Sequence, residues 1–136
     1  MEWIAPKLDW NGKDPFALDP DYTRIRQNLL YLQQKASEVV GRPDYAQMKE
    51  YSIKDVPLAE FFNRVEENLA RVEQLVQNGG YRAKHFKPGD FVWDWQDLNR
   101  IEALEQSIYN DLRMIENGQQ MLAFYLGGGI FGAFVS

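Results

Sequence analysis

Apolar residues return along this chain at alternating steps of three and four in three separate stretches, the spacing of helices that each bury one stripe. Tyr22, Ile25, Leu29, Leu32 and Val39 form the first stripe. Leu58, Phe62, Val65, Leu69, Val72 and Val76 form the second, and Leu98, Ile101, Leu104, Ile108, Leu112 and Ile115 the third. Punctuating residues bound each one. Asp19-Pro20-Asp21 opens the first helix, with Asp19 as N-cap and Pro20 preset for the first turn, and Gly41 and Pro43 close it after Val40. The second covers Val56 to Gln77, marked by Pro57 and ended by Asn78-Gly79-Gly80, whose glycines accept positive φ. Asp94 and Asp97 make a capping-box-like pair ahead of the third. Gly118 is a candidate break there, after which Met121, Leu122, Phe124, Tyr125 and Leu126 resume the helix before Gly127-Gly128-Gly129 ends it.

Between the helices the period disappears. Residues 1–18 hold Pro6, Gly12 and Pro15 among alternating aromatic and polar residues and read as an extended arm that needs a surface to lie on. Arg42 to Lys54 is a linker with a helical turn around Tyr45 to Lys49. Tyr81 to Trp93 is a second irregular stretch, with a turn at Pro88-Gly89-Asp90 and a short strand at Phe91-Val92-Trp93. The predicted fold is mainly α: three principal amphipathic helices joined by long irregular segments, with an extended N-terminal arm and an apolar, Gly-rich C-terminal tail. One domain spans 1–136, divided into arm 1–18, helical body 19–126 and tail 127–136.

A short phrase recurs near the start of each helix. It reads Tyr22-Thr23-Arg24-Ile25, Phe62-Asn63-Arg64-Val65 and Leu98-Asn99-Arg100-Ile101, at intervals of 40 and 36 residues. One explanation is coincidence, since amphipathic helices commonly carry Arg and Asn beside an apolar stripe. The other is that Arg24, Arg64 and Arg100 make equivalent bidentate contacts to carboxylates or carbonyls and fix how each incoming segment meets its helix. The third copy departs from the others by placing Leu104 where Asn28 and Asn68 stand.

Composition narrows the chemistry. There is no cysteine, which removes disulfides, thiolate metal sites and cysteine catalysis. A net charge of −5 argues against general binding to nucleic acid. Aromatic residues reach 14%, more than a small helical core needs, and spare aromatic surface often meets a partner. Met1-Glu2-Trp3 lacks the positive start and apolar run of a signal peptide. The uncharged stretch from Gly118 to Ser136 is broken by Gln and Gly and falls short of the roughly 20 mostly apolar residues of a spanning helix.

Candidate catalytic groups find little support. His85 is the only histidine and sits among Arg82, Lys84 and Lys87, a basic run suited to the acidic side of the second helix rather than to proton transfer. Glu66, Glu67, Glu73, Glu102 and Glu105 fall at positions that helices give to solvent. The glycines at 127–129 lack the Lys-Ser/Thr of a phosphate loop. No catalytic, cofactor-binding or metal-ligating residue is assigned, and an enzyme is not expected.

Two phrases carry a resemblance. Trp3-Ile4-Ala5-Pro6-Lys7 followed by Asp9-Trp10, then Asp21-Tyr22-Thr23-Arg24-Ile25 and Asn28-Leu29, resembles small tail or baseplate-region structural proteins of phages infecting Gram-positive bacteria. Gly89-Asp90-Phe91 with Asp97-Leu98-Asn99-Arg100-Ile101-Glu102 is similar to a second phrase in them. Thr23 stands where the family phrase has Asn. The resemblance implies a virion component, assembled in the host cytoplasm, that associates with itself and with other tail proteins. The expected interface residues are Trp3, Pro6, Trp10, Tyr22, Arg24, Arg64, Trp93, Trp95, Arg100, Phe124, Tyr125, Ile130, Phe131 and Phe134. The apolar residues from Met121 onward need cover, either from sister subunits or, as an alternative function, from a membrane that the C-terminal segment docks on.

Overall fold

The computed structural model describes residues 2–41, 45, 47–48, 58–87 and 93–127. The protein is mainly helical, as its periodicity predicts, with three helices joined by irregular segments and no strand among the described residues. Helix α1 is Thr23–Val39, α2 is Leu58–Val76 and α3 is Trp95–Gly127. The predicted turn at Tyr45–Lys49, the Phe91–Val92 strand and the tail beyond Gly127 fall wholly or partly outside the described residues, and Trp93 itself is not in a strand.

All three helices point the same way. Along α1 and α3, Arg24 pairs with Glu102, Tyr31 meets Tyr109, Lys35 pairs with Glu116 and Val39 O accepts from Gln119, so both sequences ascend together. Glu66 with Arg100 and Gln77 with Asp111 give the same sense for α2 and α3. Tyr22 against Phe61 at one end and Gly41 near Leu75 at the other complete the set with α1 and α2. A parallel bundle demands that the chain return to the starting pole before each new helix. Residues 79–86 descend the groove between α2 and α3, and the N-terminal arm descends the one between α1 and α3.

Matching the recurring phrase across the three helices aligns the core into layers. Tyr22, Phe62 and Leu98 form the lowest, followed by Ile25, Val65 and Ile101, and all six are buried. Leu29 and Leu69 share the next register position with Glu105, and Leu32, Val72 and Ile108 share the one above. Aromatic contacts seal the starting pole: Phe62 lies on Trp93 with ring centroids 4.3 Å apart, and Phe16 meets both edge-on.

The helix ends differ in part from expectation. Asp19 does not cap α1: Tyr22 directly precedes the helix, and no side-chain hydrogen bond caps it or the turn at Leu18–Tyr22. Asp21 organises the entry instead, accepting from Ala17 N–H at 2.8 Å and pairing with Arg24 at 3.1 Å. At α3 the reciprocal pair is present, with Asp97 N–H donating to Asp94 Oδ1 at 2.8 Å and Asp94 N–H to Asp97 Oδ2 at 3.2 Å. Gly118 does not break α3, which continues to Gly127. A single glycine costs a helix only about 1 kcal/mol, too little to stop one this long. Helix α2 ends as predicted, with Asn78 at φ 53° and Gly80 at φ 84°.

Candidate functional site

The residues that set this chain apart form two polar clusters beneath the descending segments. In the groove between α1 and α3, the N-terminal arm runs from Trp3, stacked on Tyr109 at 4.2 Å, down to Trp10. Asn28 brackets Ile4, accepting from its N–H at 2.8 Å and donating to its C=O at 2.7 Å. Asn99 brackets Trp10 in the same manner, at 2.8 Å in both directions. Glu102 lies under the arm, fully buried. Its carboxylate accepts from Trp10 Nε1 at 2.6 Å, from Lys7 N–H at 3.2 Å, and from Arg24 Nε and Nη2 at 2.7 and 2.9 Å.

The groove between α2 and α3 repeats the plan. Residues 79–86 descend beside α2, with Gly79 N–H and Tyr81 N–H donating to Glu73 Oε1 at 2.6 and 3.3 Å. Lys84 N–H donates to Glu66 at 3.0 Å, and Asn63 brackets Phe86 at 2.7 and 2.8 Å. Arg100 holds Glu66 at 2.7 Å and also donates to the Tyr81 hydroxyl, which itself donates to Glu66. Arg24 and Arg100, at the same register position on α1 and α3, each hold the buried carboxylate of the next helix around the bundle.

The third groove breaks the pattern. Where the cycle calls for a carboxylate opposite Arg64, α1 carries Arg26, at the register position of Glu66 and Glu102. Arg26 Nε donates to Met48 O at 3.0 Å, and Arg64 donates to Gln47 O at 3.4 Å and to Glu60 at 2.9 Å within its own helix. Two arginines here converge on neighbouring backbone carbonyls. The expected bidentate contact is made by Arg24 on Glu102, whereas Arg100 reaches the Glu66 carboxylate through Nη2 alone and Arg64 meets the Gln47 carbonyl and a carboxylate of its own helix.

The glutamates require a correction. Helical position predicts Glu66, Glu67, Glu73, Glu102 and Glu105 on the solvent side, but Glu66, Glu73, Glu102 and Glu105 are buried and only Glu67 keeps substantial exposure. Glu66, Glu73 and Glu102 do stand beside the apolar stripe, yet in this parallel bundle the arm and residues 79–86 cover those flanks and, with Arg24 and Arg100, satisfy the carboxylates. Glu105 alone has no partner for either oxygen. Burial, reinforced by the charge of Glu102 and opposed by Arg24, pushes its carboxyl well above the ordinary range.

Other titrations follow the same clusters. Burial drives the Tyr22 hydroxyl up to about 12. Burial works to raise Asp97 too, but hydrogen bonds from Lys84, the Asp94 backbone and Arg100 outweigh it and hold the carboxyl below its usual value. The basic run contributes as foreseen only in part: Lys84 pairs with Asp97, while His85 Nδ1 stands 4.0 Å from Glu67.

Of the expected interface residues, Trp10, Tyr22 and Trp93 are committed to the protein's own interior, because the arm and the segment before α3 fold back onto the bundle. Trp3 and Pro6 are half-covered along the arm, and Arg24 and Arg100 serve the internal clusters. Trp95 stays 41% exposed. Phe124 and Tyr125 belong to the last turns of α3, and Ile130, Phe131 and Phe134 lie outside the described residues. Sequence reasoning missed the three bracketing asparagines and Glu105, although the Asn-Arg step in two of the phrases pointed at the former. Among the described residues no group of acidic and histidine side chains is arranged to hold a metal ion, and no helix is long and apolar enough to cross a membrane. Comparisons with protein-family models, with characterised proteins and with solved structures find no match for this chain.

Proposed function

We propose that this chain is a non-catalytic structural or adaptor subunit that assembles with copies of itself, in keeping with its resemblance to tail and baseplate-region proteins of phages. One observation carries the reading. Helix α3 outruns its neighbours: Gln119 reaches the last residue of α1 through Val39 O, and Gln77, just past the end of α2, reaches Asp111, yet α3 continues to Gly127. At 1.5 Å per residue the extension past α1 is about 12 Å. Its sequence, Met121-Leu122-Ala123-Phe124-Tyr125-Leu126, is apolar, and an apolar helix end of this composition calls for a surface to cover it. The polar clusters support the same role, since Glu102 and Glu66 are spent on locking the arm and residues 79–86 to the helices.

Light scattering on the full-length protein beside a variant lacking residues 120–136 tests this reading. A defined oligomer that becomes a monomer on truncation supports it. A monomer in both forms overturns self-assembly, and binding of the full-length chain alone to liposomes would instead assign the segment to membrane docking.

A further inference from the structure

Glu105 occupies the register position that leucine holds in the other two helices, Leu29 and Leu69, and all three are fully buried. A carboxyl in a leucine layer with neither oxygen hydrogen-bonded is stable there only while it carries a proton, because an isolated buried carboxylate forfeits its hydration without compensation. One turn below it on the same helix lies Glu102, the residue that holds the N-terminal arm through Lys7 N–H and Trp10 Nε1. The two carboxyls are three residues apart and so share a face of α3.

The surrounding charges are few. Arg24 on α1 faces both carboxyls and is committed to Glu102 and Asp21. From α2 the buried carboxylates Glu66 and Glu73 are already satisfied by Arg100, Tyr81 and the N–H groups of residues 79, 81 and 84. From the arm, Lys7 turns its ammonium to Asp9 and Asp14. Arg24 is therefore the cation for which an ionised Glu105 would compete.

We propose that Glu105 is a proton-operated latch for the N-terminal arm: protonated, it rests neutral in the leucine layer and leaves Arg24 to Glu102, whereas ionised, it draws on Arg24 and loosens the hold on Lys7 and Trp10. The segment at 79–86 has no such neighbour, because Leu69 stands at the equivalent position above Glu66. The device acts on one segment and not on the other.

Amide exchange of the full-length protein, read by NMR as protection factors between pH 5 and pH 9, tests the latch. Protection at Lys7 and Trp10 is expected to fall by on the order of tenfold as pH rises, the scale of one unit of titration, while Lys84 and Phe86 keep theirs. In Glu105→Gln, which cannot ionise, the arm's protection is expected to stay flat, and Glu105→Leu, which restores the leucine of the other helices, serves if the glutamine variant fails to fold. Equal loss of protection in wild type and variant, or none in wild type, overturns the proposal.

Discussion

Asn99 reads the backbone of Trp10 as a neighbouring β-strand would, accepting from its N–H and donating to its C=O, both at 2.8 Å. Asn63 does the same for Phe86 and Asn28 for Ile4. A side-chain amide offers one donor and one acceptor side by side, so a single residue satisfies both backbone groups of a segment that has no sheet to pair with. Asn99→Ala is expected to cost about 1–3 kcal/mol, two hydrogen bonds at roughly 0.5–1.5 kcal/mol each, seen as a lower urea midpoint. A loss below a few tenths of a kcal/mol would show that the bracket contributes alignment and no stability.

The Arg24–Glu102 pair has a larger expected effect. Arg24→Met leaves Glu102 buried with only Lys7 N–H and Trp10 Nε1 as partners, and removing one member of a buried pair commonly costs about 3–5 kcal/mol. Trp10→Ala should lose a similar amount through the cavity it leaves. Since small domains hold about 5–15 kcal/mol in total, either change is expected to bring partial unfolding at 37 °C, measured by circular dichroism. If Arg24→Met melted within 2 °C of wild type, the pair would be a bystander.

Glu105 and Asp97 pull stability in opposite directions as pH changes. Glu105 is raised in the folded chain above its ordinary 4.5, so between that value and its folded value the native state keeps a proton that the unfolded chain has released. Stability then falls as pH rises, by up to about 1.4 kcal/mol per unit. Asp97 is depressed, so its contribution is present above the ordinary carboxylate range and is lost as pH falls through its folded value. Denaturation at pH 5 and pH 8 should find wild type more stable at pH 5, and Glu105→Leu more stable than wild type at pH 8 with the difference between the two pH values much reduced. A wild-type protein more stable at pH 8 would contradict this assignment.

Much of the helical frame was legible because apolar periodicity reports burial directly: Ile25, Val65, Ile101 and their successors face one core. The parallel arrangement was not, since periodicity is the same whichever way a helix points. That gap explains the glutamates. Helical register correctly puts Glu66 and Glu102 off the apolar stripe, but whether such a flank meets water depends on where the connecting segments run, and contacts between Lys7 and Glu102 or Lys84 and Glu66 link residues 95 and 18 positions apart. Glu105 was missed for a different reason. Leu104 beside it takes the apolar place in a three-and-four count, and only the alignment of all three phrases shows that Glu105 stands with Leu29 and Leu69.

The broken third groove offers a direct test of that alignment. If position 26 is the counterpart of 66 and 102, Arg26→Glu places a carboxylate opposite Arg64 and completes a ring of three Arg–Glu pairs. The substitution also removes the hydrogen bond from Arg26 to Met48 O, so the net stability change is a difference between a gained pair and a lost contact. A double-mutant cycle separates the two: Arg26→Glu and Arg64→Met are made singly and together, and the coupling is read from urea denaturation. Residues in direct contact couple by about 0.5–3 kcal/mol, whereas well-separated ones add within roughly 0.3–0.5 kcal/mol. Favourable coupling in the higher range is expected, because the Arg64 guanidinium is only about a third exposed and already bends toward the backbone at Gln47. Coupling indistinguishable from zero would mean that the seam between α1 and α2 is built on a different geometry from the other two, and that the recurring phrase marks helix starts without setting equivalent contacts.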